Sequence, residues 1–157
     1  MTGDGRIPKI FPDDIVLTKI YFIRDNKVMI DKDLAELYGI ETKRLKEAVR
    51  RNRKRFPEDF MFEMSKEELK NWRTQFATSN SERMGFRYPP FCFTEQGVTM
   101  LSCTLNSERA IHVNIQIVRV FSRMRELLIK NKDYVKIASE SLGLFIVLTI
   151  RGEKQTS

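Results

Sequence analysis

"AELYGIETKRLKEAVRRNRKRFPEDFMF", residues 35–62, decides how this sequence is read. Thirteen central positions hold eight bases, Lys43, Arg44, Lys46, Arg50, Arg51, Arg53, Lys54 and Arg55, against one acid, Glu47. Apolar positions nonetheless recur at helical spacing. At 100° per residue, Leu45, Ala48, Val49, Asn52 and Phe56 gather on one side. Lys43, Arg50 and Lys54 point the opposite way, and Arg44, Lys46, Arg51, Arg53 and Arg55 flank them. The stretch therefore predicts an amphipathic helix, opened by Glu41 or Thr42 and stopped by Pro57, which cannot continue a helix interior. A solvated helix laced by ion pairs would alternate its signs. A cationic face with a single acid repels itself and calls for an anion.

Working outward, Asp31 reads as the N-cap of a short helix over 32–38 that buries Leu34, Ala35 and Leu37. Gly39 ends it, since glycine tolerates the left-handed conformation after a last turn. Ala35 is the small residue a close helix crossing needs, and Ile40 plugs the turn. Leu45 and Ala48 follow Ala35 by ten and thirteen positions. That is the register of a helix-turn-helix whose second helix enters a DNA major groove. Thr42, Lys43 and Lys46 are then assigned to base edges or the nearest phosphates, and Arg50, Arg51 and Lys54 to phosphates, with Arg44 and Arg53 beside them. Glu47 either accepts from a cytosine amino group or pairs with Lys43 and Arg51 at i±4. The pairing is the expectation.

Further out, "KIYFIRDNKVMID" predicts a β-hairpin with turn chemistry at Asp25-Asn26 and alternation of Tyr21, Ile23, Val28 and Ile30. "EDFMFEM" and "FCF" read as short strands. "SKEE" is a capping box, Ser65 with Glu68, before a helix through "KEELKNWR". Residues 74–90 read as a polar loop carrying Arg83 and Arg87. Thr94 caps "EQGVTMLSCTL", and Asn106-Ser107 starts a long helix to about Asn131. There is no internal repeat. The fold class is α+β: small hairpins, a helix-turn-helix of winged-helix-like kind, and a long C-terminal helix.

The chain of 157 residues is 41% hydrophobic and 31% charged, with a net charge of +7. This suits one ordinary domain rather than a disordered segment. Residues 41–55 carry eight bases and two acids, a net of +6, so the excess is local. A local excess points to a polyanion: nucleic acid, an anionic membrane or an acidic protein. "MTGDGRIPKI" lacks the apolar core of a signal peptide, and "LGLFIVLTI", 142–150, is too short to span a bilayer. A cytoplasmic protein that binds no membrane is expected.

Chemistry is sparse. Cys92 and Cys103 lie in apolar strings, read as buried free thiols, and with no CxxC and one histidine a structural zinc site is not expected. Asp31, Asp33 and Glu36 are read as partners of the helix dipole and of cations rather than metal ligands. His112, beside Gln116 and Arg119 on a polar face, has no nucleophile to serve. Trp72 and Phe76 read as a packing pair, and Gly97 as a point of close helix approach. No catalytic residue, metal or cofactor is expected, and the protein is not read as an enzyme.

"KIYFIRDNKVMIDKDLAELYGIETKRLKEAVRRNRKRFPEDFMFEMSKEE", followed by "FTEQGVTMLSCTLNSERAIHVNIQIVRVFSRMRELL", resembles the KilA-N-related "ORF-six N-terminal" domain family of bacteria and phages. The resemblance covers residues 10–130, the expected domain. It departs in the tail, 131–157, where the family commonly continues into a charged, coiled-coil-like helix and this chain is apolar. The resemblance implies double-stranded DNA binding and transcriptional control of phage or mobile-element origin, near the bacterial nucleoid. The alternative it implies is an antirepressor-type module whose basic helix docks on an acidic phage or host regulator. Finally, the apolar residues of 107–131 cover more than half of the helix circumference. Val113, Val120 and Leu127 are expected to face water in a monomer, which predicts a homodimer through this helix.

Overall fold

The computed structural model describes residues 11–76 and 88–130. The order is α1 (Asp13–Leu17), β1 (Tyr21–Ile23), β2 (Asn26–Ile30), α2 (Asp31–Tyr38), α3 (Thr42–Arg51), a 3-10 turn (Arg53–Arg55), β3 (Met61–Glu63), α4 (Lys66–Phe76), β4 (Phe91–Phe93), α5 (Glu95–Leu105) and α6 (Glu108–Lys130). The class is α+β, as expected. The tail beyond 130 and the arginines at 83 and 87 lie outside the described residues. Helix α4 runs through Phe76, so the expected loop loses its first three residues to it.

The four strands form one antiparallel sheet in the order β1-β2-β4-β3. Three successive residues of β2, Val28, Met29 and Ile30, are buried, and so are all three of β4. Strict alternation fails because both sheet faces are covered. Met29, Met61, Phe91 and Phe93 enter the main core with α2, α3, α5 and α6. Val28, Ile30, Phe62 and Cys92 enter a smaller core under Leu69 and Trp72 of α4. Trp72 meets Tyr21 edge-on, with ring centroids 5.4 Å apart; the side chain of Phe76, its expected partner, lies outside the described residues. Cys92 is buried as expected; Cys103 is exposed on α5, contrary to expectation. The string "LSCTL" is apolar, but the helical period turns its middle residue outward.

Local signals largely hold. Ser65 and Glu68 make the reciprocal capping box: the Ser65 N–H donates to Glu68 Oε1 at 2.7 Å, and the Glu68 N–H to Ser65 Oγ at 3.1 Å. Thr94 Oγ1 accepts from the Gly97 N–H. The hairpin turn falls one residue early. Ile23 pairs with Asn26, and Arg24 and Asp25 adopt φ of 53° and 62°, the left-handed pair that suits strand twist. Arg24 is held there by both carboxylate oxygens of Glu68, each at 2.8 Å.

Two of the three residues expected to face water and form a homodimer are covered, while the side chain of the third, Leu127, lies outside the described residues. Val113 and Val120 are 1% and 3% exposed within one chain. Segment 11–17 covers this side of α6. Phe11 and Gln116 exchange backbone–amide hydrogen bonds, Asp13 pairs with Arg123, and Val16 enters the same core. Gln116 is consequently buried, not on a polar face beside His112. The wheel over-counted free apolar surface because α6 packs against α1, α2 and α5 together.

Candidate nucleic-acid interface

The candidate interface expected from the sequence lies on α2 and α3. Gly39 takes φ +73°, and the Ile40 N–H reaches back to Ala35 O at 3.0 Å, so α2 ends in a glycine cap. Ala35, Leu45 and Val49 are buried where the two helices meet, and Ile40 packs against them. Two positions of the expected helix-turn-helix register, Ala35 and Leu45, thus meet; the third, Ala48, is half-buried and lines an open groove with Thr104 and Leu105 of α5. Helix α2 is latched to α6 at two points. The Tyr38 hydroxyl donates to Asn114 Oδ1, and Asn114 Nδ2 donates in turn to Val98 O at 3.0 Å. Arg109 Nε donates to Leu37 O at 3.2 Å. Burial pushes the Tyr38 hydroxyl pKa up, so the Tyr38–Asn114 bond keeps its proton.

Helix α3 stops at Arg51, earlier than Pro57 implied. Asn52 ends it, at φ −122° and ψ 36°, with its side-chain amide bonded to Ala48 O at 2.8 Å. A side chain that competes for a helical carbonyl is a helix-ending device. Arg53 and Lys54 therefore sit on the 3-10 turn, out of line with α3.

Of the residues assigned to DNA, Lys43, Arg44, Arg50, Arg51, Arg53 and Lys54 are exposed, as is Arg55. Thr42 is half-buried at the start of α3. Among the described residues none of these seven cations has a carboxylate within 4 Å. Glu47, expected to pair with Lys43 and Arg51, is in no such pair either.

Lys46 is set apart from the others. Its side chain is 14% exposed, and its Nζ lies 3.4 Å from Asp31 Oδ2 and 5.0 Å from the Phe91 ring centroid. Asp31, expected as an N-cap, is 2% exposed and joins three elements. It accepts from the Lys32 N–H at 2.6 Å and, through Oδ2, from the Phe91 N–H of β4 at 2.9 Å. Burial raises the Asp31 pKa, against the pull of the Phe91 N–H and the Lys46 ammonium. The Arg50 guanidinium lies over the same Phe91 ring, 5.7 Å from its centroid. Composition could not reveal this cluster, because its members come from positions 31, 46, 50 and 91. Asp33 and Glu36 pair with Lys19, at 3.6 and 3.7 Å, which bears out their reading as ion-pair partners.

Two shallow grooves flank the cations. One, about 570 Å³, lies between α3 and the end of α5. The other, about 470 Å³, lies between Arg53 and the hairpin tip at Arg24. Among the described residues there is no cluster of metal-ligating side chains and no helix long and apolar enough to cross a membrane.

A family model, the ORF6N domain, matches residues 18–104, more than half of the chain. The chain belongs to the ORF6N-domain family. The matched span runs from the hairpin through the helix-turn-helix and the sheet into α5, so it contains every residue assigned to DNA and the Asp31–Lys46–Phe91 cluster. Helix α6, which latches the ORF6N region through Asn114 and Arg109, lies beyond it. No curated protein and no solved structure matches the chain.

Proposed function

We propose that this ORF6N-domain protein binds double-stranded DNA through α3 and the following 3-10 turn, as a transcriptional regulator of phage or mobile-element origin acting at the bacterial nucleoid. One observation carries the reading: seven exposed cations from Lys43 to Arg55 stand on α3 and the 3-10 turn after it, and among the described residues none has a carboxylate within 4 Å. Such a surface is unfavourable until a polyanion covers it. The helix-turn-helix register supplies the shape, and the second helix of that motif enters a major groove. Lys43 and Arg44 stand at the first turn of α3, within reach of base edges; Arg50, Arg51, Arg53 and Lys54 stand at its far end, suited to phosphates. No catalysis is assigned.

The test is the salt dependence of binding to random duplex. About five phosphate contacts would give a log–log slope of about −4 to −5. A flat response, or no binding at low salt, would sink the DNA reading and favour an antirepressor that docks this face on an acidic repressor.

A further inference from the structure

The one acid on the cationic face of α3 is the feature that phosphate binding leaves unexplained. Glu47 lies about 160° round the helix from both Leu45 and Val49, which are buried, so it stands in the middle of the outer face. Lys43 and Arg44 are its neighbours at i−4 and i−3, and Arg50 and Arg51 at i+3 and i+4. It is half-buried among them, yet among the described residues no cation comes within 4 Å of its carboxylate. With Lys43, Arg44, Ala48, Arg51, Thr104 and Leu105 it lines the open groove beside α5.

A carboxylate only accepts hydrogen bonds. Phosphates also only accept, and they repel it. Placed against a duplex, Glu47 therefore cannot serve as a backbone contact. Its complement is a base-edge donor. The major groove offers two, the N6 amino group of adenine and the N4 amino group of cytosine. Adenine sets its N7 acceptor beside the donor, where it would face the second carboxylate oxygen. Cytosine presents the donor without that acceptor. The guanine paired with it presents O6 and N7, the pattern that Arg or Lys matches, and arginines flank Glu47 on both sides.

We propose that Glu47 is a specificity-determining residue that reads one C·G pair, its carboxylate accepting from cytosine N4. This rests on the DNA-binding reading above. It also gives the acid a second effect, because a carboxylate amid the cations weakens binding to every duplex that lacks cytosine at that step.

The experiment is selection of bound fragments from a random duplex library with the full chain, as wild type, Glu47→Ala and Glu47→Gln, each first checked for an unchanged thermal transition. Wild type is expected to enrich cytosine at one column, with replacement there costing about tenfold to a hundredfold in affinity. Glu47→Ala should erase that column alone, keep the others and bind random duplex more tightly at low salt. Glu47→Gln should move the column towards adenine, whose N6 and N7 an amide matches. An unchanged cytosine column in Glu47→Ala, or loss of every column at once, overturns the assignment while duplex binding itself stands. No duplex binding by wild type at low salt overturns the DNA reading and this inference together.

Discussion

Replacing Lys46 by methionine separates the structure's account of the cationic segment from a count of charges. The substitution keeps the aliphatic length and removes the ammonium 3.4 Å from Asp31 Oδ2. The carboxylate left behind is 2% exposed and keeps only its two backbone donors, Lys32 and Phe91. Removing one partner of a buried pair costs roughly 3–5 kcal/mol. The remaining donors put the expectation near the low end, about 3 kcal/mol. Asp31→Asn combined with Lys46→Met removes both charges and should recover about half of that loss. Urea unfolding followed by circular dichroism measures both. Salt titrations of DNA binding supply the second readout. Lys46→Met should leave the log–log slope within about 0.5 of wild type, whereas Arg50→Ala should flatten it by about 0.9 without loss of stability. Unchanged stability in Lys46→Met, together with a slope flattened by about 0.9, would place the ammonium on a phosphate. The Asp31–Lys46 account would then be refuted.

Three further outcomes follow from the packing. In Gly97→Ala the new Cβ would overlap the Phe60 carbonyl oxygen, which also accepts from the Thr94 N–H at 3.0 Å; overpacking and a strained cap should cost about 3 kcal/mol by the same unfolding assay. Burial raises the Asp33 pKa from the ordinary 3.8 to about 6, so its contribution is fully present below pH 3.8 and is lost as the pH rises through 6. Asp33→Asn should abolish that loss, up to about 3 kcal/mol between pH 4 and 7; parallel melting curves for the two proteins over that range would remove the assignment. Val120→Glu should now unfold the chain rather than split a dimer, because Val120 is buried under its own fold; a folded monomer of unchanged melting temperature would contradict this.

What was legible in the sequence was whatever local chemistry dictates. Gly39, Thr94 and the Ser65–Glu68 box announce helix ends because a cap involves neighbours in the chain. The cationic face of α3 was legible because helical period and charge lie within one segment. The misses share a different cause. Asn52 ended α3 early through a side-chain bond that competes with the backbone. The hairpin turn slipped by one residue because Arg24 is anchored on Glu68, 44 positions away. Lys46 turned inward because a carboxylate and a strand from elsewhere wait for it. Val113 and Val120 were assigned to solvent because a helical wheel cannot see the segment 11–17 returning over α6.

The strand order has a consequence in time. Among the described strands β4 is the last made, yet it lies between β2 and β3, and β3 has no other neighbour among them. Until residues 91–93 arrive, the first hairpin and β3 cannot join, and Asp31 lacks its Phe91 donor. Closing a register such as Met29 on Phe93 gathers in a long stretch of chain before any contact rewards it, and such pairings are slow. On the ribosome the basic helix therefore emerges well before the surface that orients it. A nascent chain halted before β4 would carry the complete helix-turn-helix sequence without a fixed α3, so the proposed DNA binding should switch on late and all at once.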